Sequence, residues 1–167
     1  MSKPSYIKDA RTLTLSGGLA VLNAAIAEAE RIGQPMCISV VDTGGNLLAF
    51  GRMDGSKALS EISTRNKAIT AALSDEPTGG AHADVELQVT LAQESKWTNL
   101  IGGLPIRVDG FVLGAVAAGS GTGTQDLAVA RAGAGAISGA EMFLDFVPMG
   151  AEDTGIIRGS HPEKVRG

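Results

Sequence analysis

The chain is 167 residues long, 44% hydrophobic, 19% charged and only 4% aromatic, with 23 glycines, one cysteine and a formal net charge of -4. This composition excludes a collagen-like repeat and an apolar-poor disordered chain, and a single cysteine excludes an intrachain disulfide and every multi-cysteine zinc site. Mild acidity without a basic stripe argues against a nucleic-acid partner, and no run approaches the roughly 18 apolar residues that span a bilayer.

The length fits one domain, expected over 1–147, with an extended tail over 148–167 that glycine, proline and charge break up. The first fifteen residues interleave Lys3, Lys8, Asp9 and Arg11 with short apolar pieces, which is not a signal-peptide pattern, so a soluble cytoplasmic protein is expected. Leu15, Leu19, Leu22, Ile26 and Ala29 recur at helical spacing and predict a first helix over Leu15 to Arg31, capped by Thr14 and ended by Gly33. Met36 to Asp42 and Asn46 to Arg52 flank Thr43-Gly44-Gly45 and read as a hairpin.

A second helix is expected over Ser56 to Ser74. After the break at Pro77 and Gly79-Gly80 a third is expected over Ala83 to Lys96, then a short strand over Trp97 to Ile101. Gly103 to Ala118 turns at Asp109-Gly110, a strong hairpin signal, and a glycine-rich loop leads into a last helix over Gln125 to Glu141. Two hairpins make neighbouring strands antiparallel, so the fold class is α+β, with helices covering the sheet.

Gly119, Gly121, Thr122, Gly123 and Gln125 lie where a glycine-rich loop meets a helix N-terminus, a place that offers backbone N–H groups to an anion. The loop lacks the third glycine of a dinucleotide fingerprint and the G-K-[ST] of a P-loop. The bland alternative is a turn that needs glycine. Arg52 and Asp54, after the first hairpin, suit an anion clamp and an acid/base, or else a solvated strand end and a helix cap.

On the second helix Glu61 and Arg65 are spaced i,i+4 as a surface pair, and Lys67 precedes the close-packing run Ala68 to Leu73. A buried Lys67 stem would put its amine beside a counter-charge or a substrate. His82 opens the third helix as a candidate general base or iron ligand, against the bland reading of a solvated loop histidine, and His161 sits in the tail. No histidine pair has metal-ligand spacing, so no intrinsic metal site is expected. Cys37, inside an apolar strand, reads as a small packed hydrophobe.

Taken in order, Val40-Val-Asp-Thr-Gly-Gly-Asn-Leu-Leu-Ala-Phe-Gly-Arg-Met-Asp-Gly55, Lys67-Ala-Ile-Thr-Ala-Ala72, Gly102-Gly-Leu-Pro-Ile-Arg-Val-Asp-Gly110, Gly114-Ala-Val, Gln125-Asp and Val129-Ala-Arg-Ala-Gly133 resemble the GlcG/HbpS-like, or haem-degrading domain, family. That family is similar to the C-terminal domain of PduO-type cobalamin adenosyltransferases. The resemblance implies a profilin-like three-layer α/β/α fold with a central antiparallel sheet of about five strands, and assembly into dimers or larger homo-oligomers. It admits haem as a ligand, with His82 as the available iron ligand because the first helix carries no histidine.

Three functions follow as expectations. The first is a small-molecule binder whose ligand is haem or a smaller anionic molecule. The second is a cofactor-independent lyase or isomerase for a small carboxylated aromatic or hydroxy acid. There Arg52 or Lys67 holds the carboxylate, the Gly119 to Thr124 loop donates N–H groups, and Glu61, Asp54 or His82 moves protons. The third is a non-catalytic assembly protein, suggested by the small residues of the last helix. No motif demands a cofactor.

Overall fold

The computed structural model describes Tyr6 and residues 9–149; the expected tail from 150 onward, with His161, lies outside the described residues. The elements are α1 (Leu15–Arg31), β1 (Cys37–Asp42), β2 (Leu47–Arg52), α2 (Ser60–Ser74), α3 (Ala83–Ala92), β3 (Gly103–Val108), β4 (Phe111–Gly119) and α4 (Gly123–Ala134).

The first helix matches its expectation because its stop and start signals are local. Thr14 Oγ1 accepts from the Gly17 N–H, and Gly33 adopts a left-handed φ of +67° just past the end. Both hairpins form where turn chemistry places them, the second through Asp109 and Gly110, both at positive φ. All four strands are antiparallel, in the order β2-β1-β4-β3.

Four expectations need correction. The sheet has four strands among the described residues. In place of a fifth strand, residues 97–101 are irregular, because their polar groups are tied to side chains: the Thr98 N–H donates to Thr70 Oγ1, and Thr78 Oγ1 donates to the Leu100 carbonyl. The second helix begins at Ser60 rather than Ser56, since residues 53–59 form turns in which Ser56 Oγ donates to the Met53 carbonyl, so Asp54 caps no helix. The third helix stops at Ala92, before Glu94 and Ser95 at positive φ, and the last runs from Gly123 only to Ala134, ahead of a chain of turns.

The layers are α/β/α. One face of the sheet packs α1 and α4 over a core that includes Val21, Leu22, Ile38, Val40, Leu104, Ile106, Val116 and Val129. Ala130, Gly133 and Ala134 are buried on α4, which packs on α1, so part of the small-residue stripe is used inside the fold. The opposite face carries α2 over Val41, Ala68, Ala71, Ala72, Ala115 and Ala117. The β3 edge is partly covered by the chain that follows α4: the Glu141 N–H donates to the Arg107 carbonyl, and the Arg107 guanidinium binds Glu141 and Asp75. No described helix is long and apolar enough to cross a membrane.

Candidate functional site

Alanines at 68, 71, 72, 115 and 117 let α2 lie close on the sheet, and this closeness brings Lys67 across the sheet end. Lys67 is 4% exposed, and its Nζ donates to the Ala118 carbonyl at 2.9 Å and to Asp126 Oδ2 at 2.8 Å. Asp126, in the first turn of α4, also accepts the Gly121 N–H on Oδ1 at 3.0 Å. The pair therefore bolts α2, on one side of the sheet, to α4 on the other.

Two glycines make room for it. At Gly102, where φ is +118°, a Cβ would fall 2.6 Å from Asp126 Cβ and 3.2 Å from Lys67 Nζ; at Gly119 it would fall 2.3 Å from Thr64 Oγ1. Burial raises the Asp126 carboxyl above its ordinary range, against the opposing pull of the Lys67 charge and hydrogen bond and of the Gly121 N–H. Around the pair the hydroxyls of Ser39 and Thr64 are buried without a hydrogen-bond partner among the described residues. An ammonium carries three protons, and two of those of Lys67 are engaged. Chemically, the arrangement is a dry acid–base pair with one donor to spare.

Part of the glycine-rich loop's donor set is used internally. The Gly121 N–H goes to Asp126, the Thr122 N–H to Gln125 Oε1 at 2.9 Å, and Thr122 Oγ1 accepts the Gln125 N–H at 3.3 Å, a complete capping box. Ser120, at φ +99°, accepts the Lys57 N–H on its hydroxyl. Gly119 is buried, whereas Gly121, Thr122, Gly123 and Gln125 are half-buried.

Arg52 pairs across the sheet with Cys37, and Cys37 with Gly119, so Arg52 and the loop share one end of the sheet. Arg52, Asp54 and Glu61 are exposed and make no ion pair among the described residues; the i,i+4 pair expected between Glu61 and Arg65 does not form there. Lys67 is the one predicted ionisable group with a buried partner. That partner, Asp126, carried no linear signal beyond its place in a first helical turn, since 59 residues separate the two.

His82 lies at the N-cap of α3, exposed, with Nδ1 3.2 Å from Asp84 Oδ2. His82 precedes the helix with extended backbone; within α3, Asp84, Leu87 and Leu91 share one side at about 100° per residue. No cluster of three His, Cys, Asp or Glu side chains suited to a metal ion occurs among the described residues. Cys37 is buried, with Sγ 3.6 Å from Ser56 Oγ and 3.7 Å from the Lys57 carbonyl.

Comparison with known proteins identifies the family. An uncharacterized 15.0 kDa protein from the dhaT-dhaS intergenic region of Citrobacter freundii is 34% identical over 125 residues, 72% of this chain and 88% of the relative. Protein GlcG of Escherichia coli strain K12 is 36% identical over 98 residues, 58% of this chain and 73% of the relative. The solved structure of a double mutant of HbpS from Streptomyces reticuli matches at a TM-score of 0.73 and 28% identity, over 83% of this chain and 95% of that one. The family model described as "Haem degrading protein HbpS-like" matches residues 13–135, from the segment before α1 to the end of α4. With that match spanning most of its length, the chain belongs to the HbpS-like family.

Proposed function

We propose that this chain is a small-molecule-binding protein and that haem is its ligand, held through His82. The observation that carries the proposal is the contact of His82 Nδ1 with Asp84 Oδ2. A histidine whose one ring nitrogen is held by a carboxylate presents the other, oriented, to a metal. The family description, "Haem degrading protein HbpS-like", supports the same ligand.

The residues present fit the group on the outside of the domain. Lys67 and Asp126 are each 4% exposed and offer no surface to a porphyrin, whereas Val85, 46% exposed and three residues after His82, does. When bound, haem supplies an iron centre for ligand binding or redox chemistry. His82 would hold the iron and Asp84 would fix the imidazole.

Titrating the purified protein with haemin is expected to give a saturable Soret shift. His82→Ala should abolish it, and Asp84→Ala should weaken binding about 10–100-fold, as loss of a ligand-orienting partner does. Haemin binding that His82→Ala leaves intact would remove the ligand assignment, and no saturable shift at all would remove haem.

A second reading, a cofactor-independent lyase or isomerase for a small carboxylated metabolite, is favoured by the buried Lys67–Asp126 pair. Buried, opposed ionisable groups are the usual means of moving protons near neutrality. In this reading Lys67 uses its spare donor on the carboxylate, Arg52 receives the substrate at the sheet end, and Asp126 joins Glu61, Asp54 and His82 among the proton carriers. Incubating the protein with aromatic and hydroxy acids in D2O tests it by NMR: exchange of substrate protons for deuterium, lost in Lys67→Met, is expected. Exchange unchanged by that substitution would contradict it.

A further inference from the structure

His82 opens α3 from a backbone that is pinned on two sides. Asn99 Oδ1 accepts the Ala81 N–H and Asn99 Nδ2 donates to the Ala81 carbonyl, each at 2.9 Å. From the other side the chain beyond α4 returns to the same turn: the Met149 N–H donates to the Gly79 carbonyl at 2.8 Å, and a Cβ on Gly80 would fall 3.2 Å from the Phe146 ring. Three residues carry the chain from Gly79 to His82, at most ~11 Å. Met149 therefore stands within side-chain reach of the His82 turn, although the two are far apart in sequence. The segment that delivers it, 136–149, lies past the family match, which ends at residue 135. Two arginines fix that segment to the domain: Arg131 donates to the Met142 and Phe143 carbonyls, and Arg107 Nη1 pairs with Glu141 Oε2 at 2.8 Å. Met142 turns back onto the end of α4, its Cε 3.5 Å from where a Cβ on Gly135 would stand, whereas Met149 is 51% exposed and Val147 77%. A methionine ordinarily fills a gap in a core; this one is left half in solvent.

We infer that Met149 is the second axial ligand of the haem iron that His82 holds, so that the start of α3 and the end of the described chain form the two sides of one site, with Val85 and Val147 as its apolar walls. The inference rests on the haem reading above and adds the iron's other protein ligand to it. A thioether is a soft, neutral donor that favours the ferrous state, and a histidine–methionine pair raises the potential of haem iron. An iron with both axial positions filled by side chains leaves none open to dioxygen. The pair therefore suits a chain that holds haem intact rather than one that degrades it.

Absorption spectra and redox titration of the haemin-loaded full chain test it. The ferric wild-type complex is expected to be low-spin and to show the far-red charge-transfer band of a thioether on iron. Met149→Leu, which keeps the apolar volume and removes the sulfur, should still take up haemin but lose that band, turn high-spin and shift the midpoint potential downward. Met149→His should restore the low-spin state without the band, and Leu144→Ala, on the same segment, should leave the spectrum unchanged. Carbon monoxide should bind at once to the reduced Met149→Leu complex and slowly to the reduced wild type. Saturable haemin uptake with the same spectrum and potential in Met149→Leu as in the wild type would overturn the inference and leave His82 standing, as would a wild-type complex that is high-spin from the start. No saturable uptake by the wild type would overturn the haem reading, and this inference with it.

Discussion

The two faces of the sheet are built on different principles. Beneath α1 and α4 the core is branched and bulky, with Ile38, Val40, Leu104, Ile106 and Val116 fully buried. Beneath α2 it is mostly alanine, interrupted by two hydroxyls without partners and a buried ion pair. Apolar burial stabilises by about 25 cal/mol per Å², so the first face supplies most of the folding energy. The second gives up that energy to bring charged and polar groups into a dry space. A fold whose stability comes from one side is free to put chemistry and partners on the other.

The largest expected effect lies on the poorer face. Lys67→Met should cost about 3–5 kcal/mol in urea unfolding at neutral pH, because it strands a buried carboxylate; lowering the pH, which protonates Asp126, should shrink the cost. A loss below about 1 kcal/mol would mean that the pair is not closed as described. On the richer face Leu104→Ala should cost about 2–5 kcal/mol by transfer and cavity formation, with no such pH dependence. Gly119→Ala should cost about 1–3 kcal/mol, since its methyl would meet Thr64 Oγ1 at 2.3 Å.

The smallest effect has the opposite sign. Thr64→Val replaces an unpartnered buried hydroxyl with a methyl group of similar shape and should stabilise by about 1 kcal/mol, read as a raised urea midpoint at unchanged slope. The contrast also extends to titration. Because burial raises the Asp126 carboxyl, the folded chain keeps its proton to higher pH than the unfolded chain does. The contribution of this group is therefore most favourable below the unfolded value and declines as pH rises through the folded one. Asp126→Asn should flatten that decline in thermal melts followed across the acidic range.

What the sequence revealed divides in the same way. The first helix, both hairpins and the antiparallel sheet were legible because caps, turn residues and periodicity act within a few residues. The start of α2, the end of α4 and the irregular path of 97–101 were not, because side-chain ties from Thr70 and Thr78 and a run of turns past Ala134 override local propensity. At the site, a lysine ahead of an alanine run was visible as unusual. Its partner was not, since only the three-layer packing brings α4 over the end of the sheet to meet it.

We propose that ligand binding belongs to the α2 and α3 side, with α1 and α4 as scaffold. Amide hydrogen exchange, compared between haemin-loaded and haem-free protein, tests this most directly. Added protection is predicted to centre on the first turn of α3, at His82 to Glu86, with α1 unchanged. Saturable haemin binding that protects α1 and leaves His82 to Glu86 unaltered would contradict it.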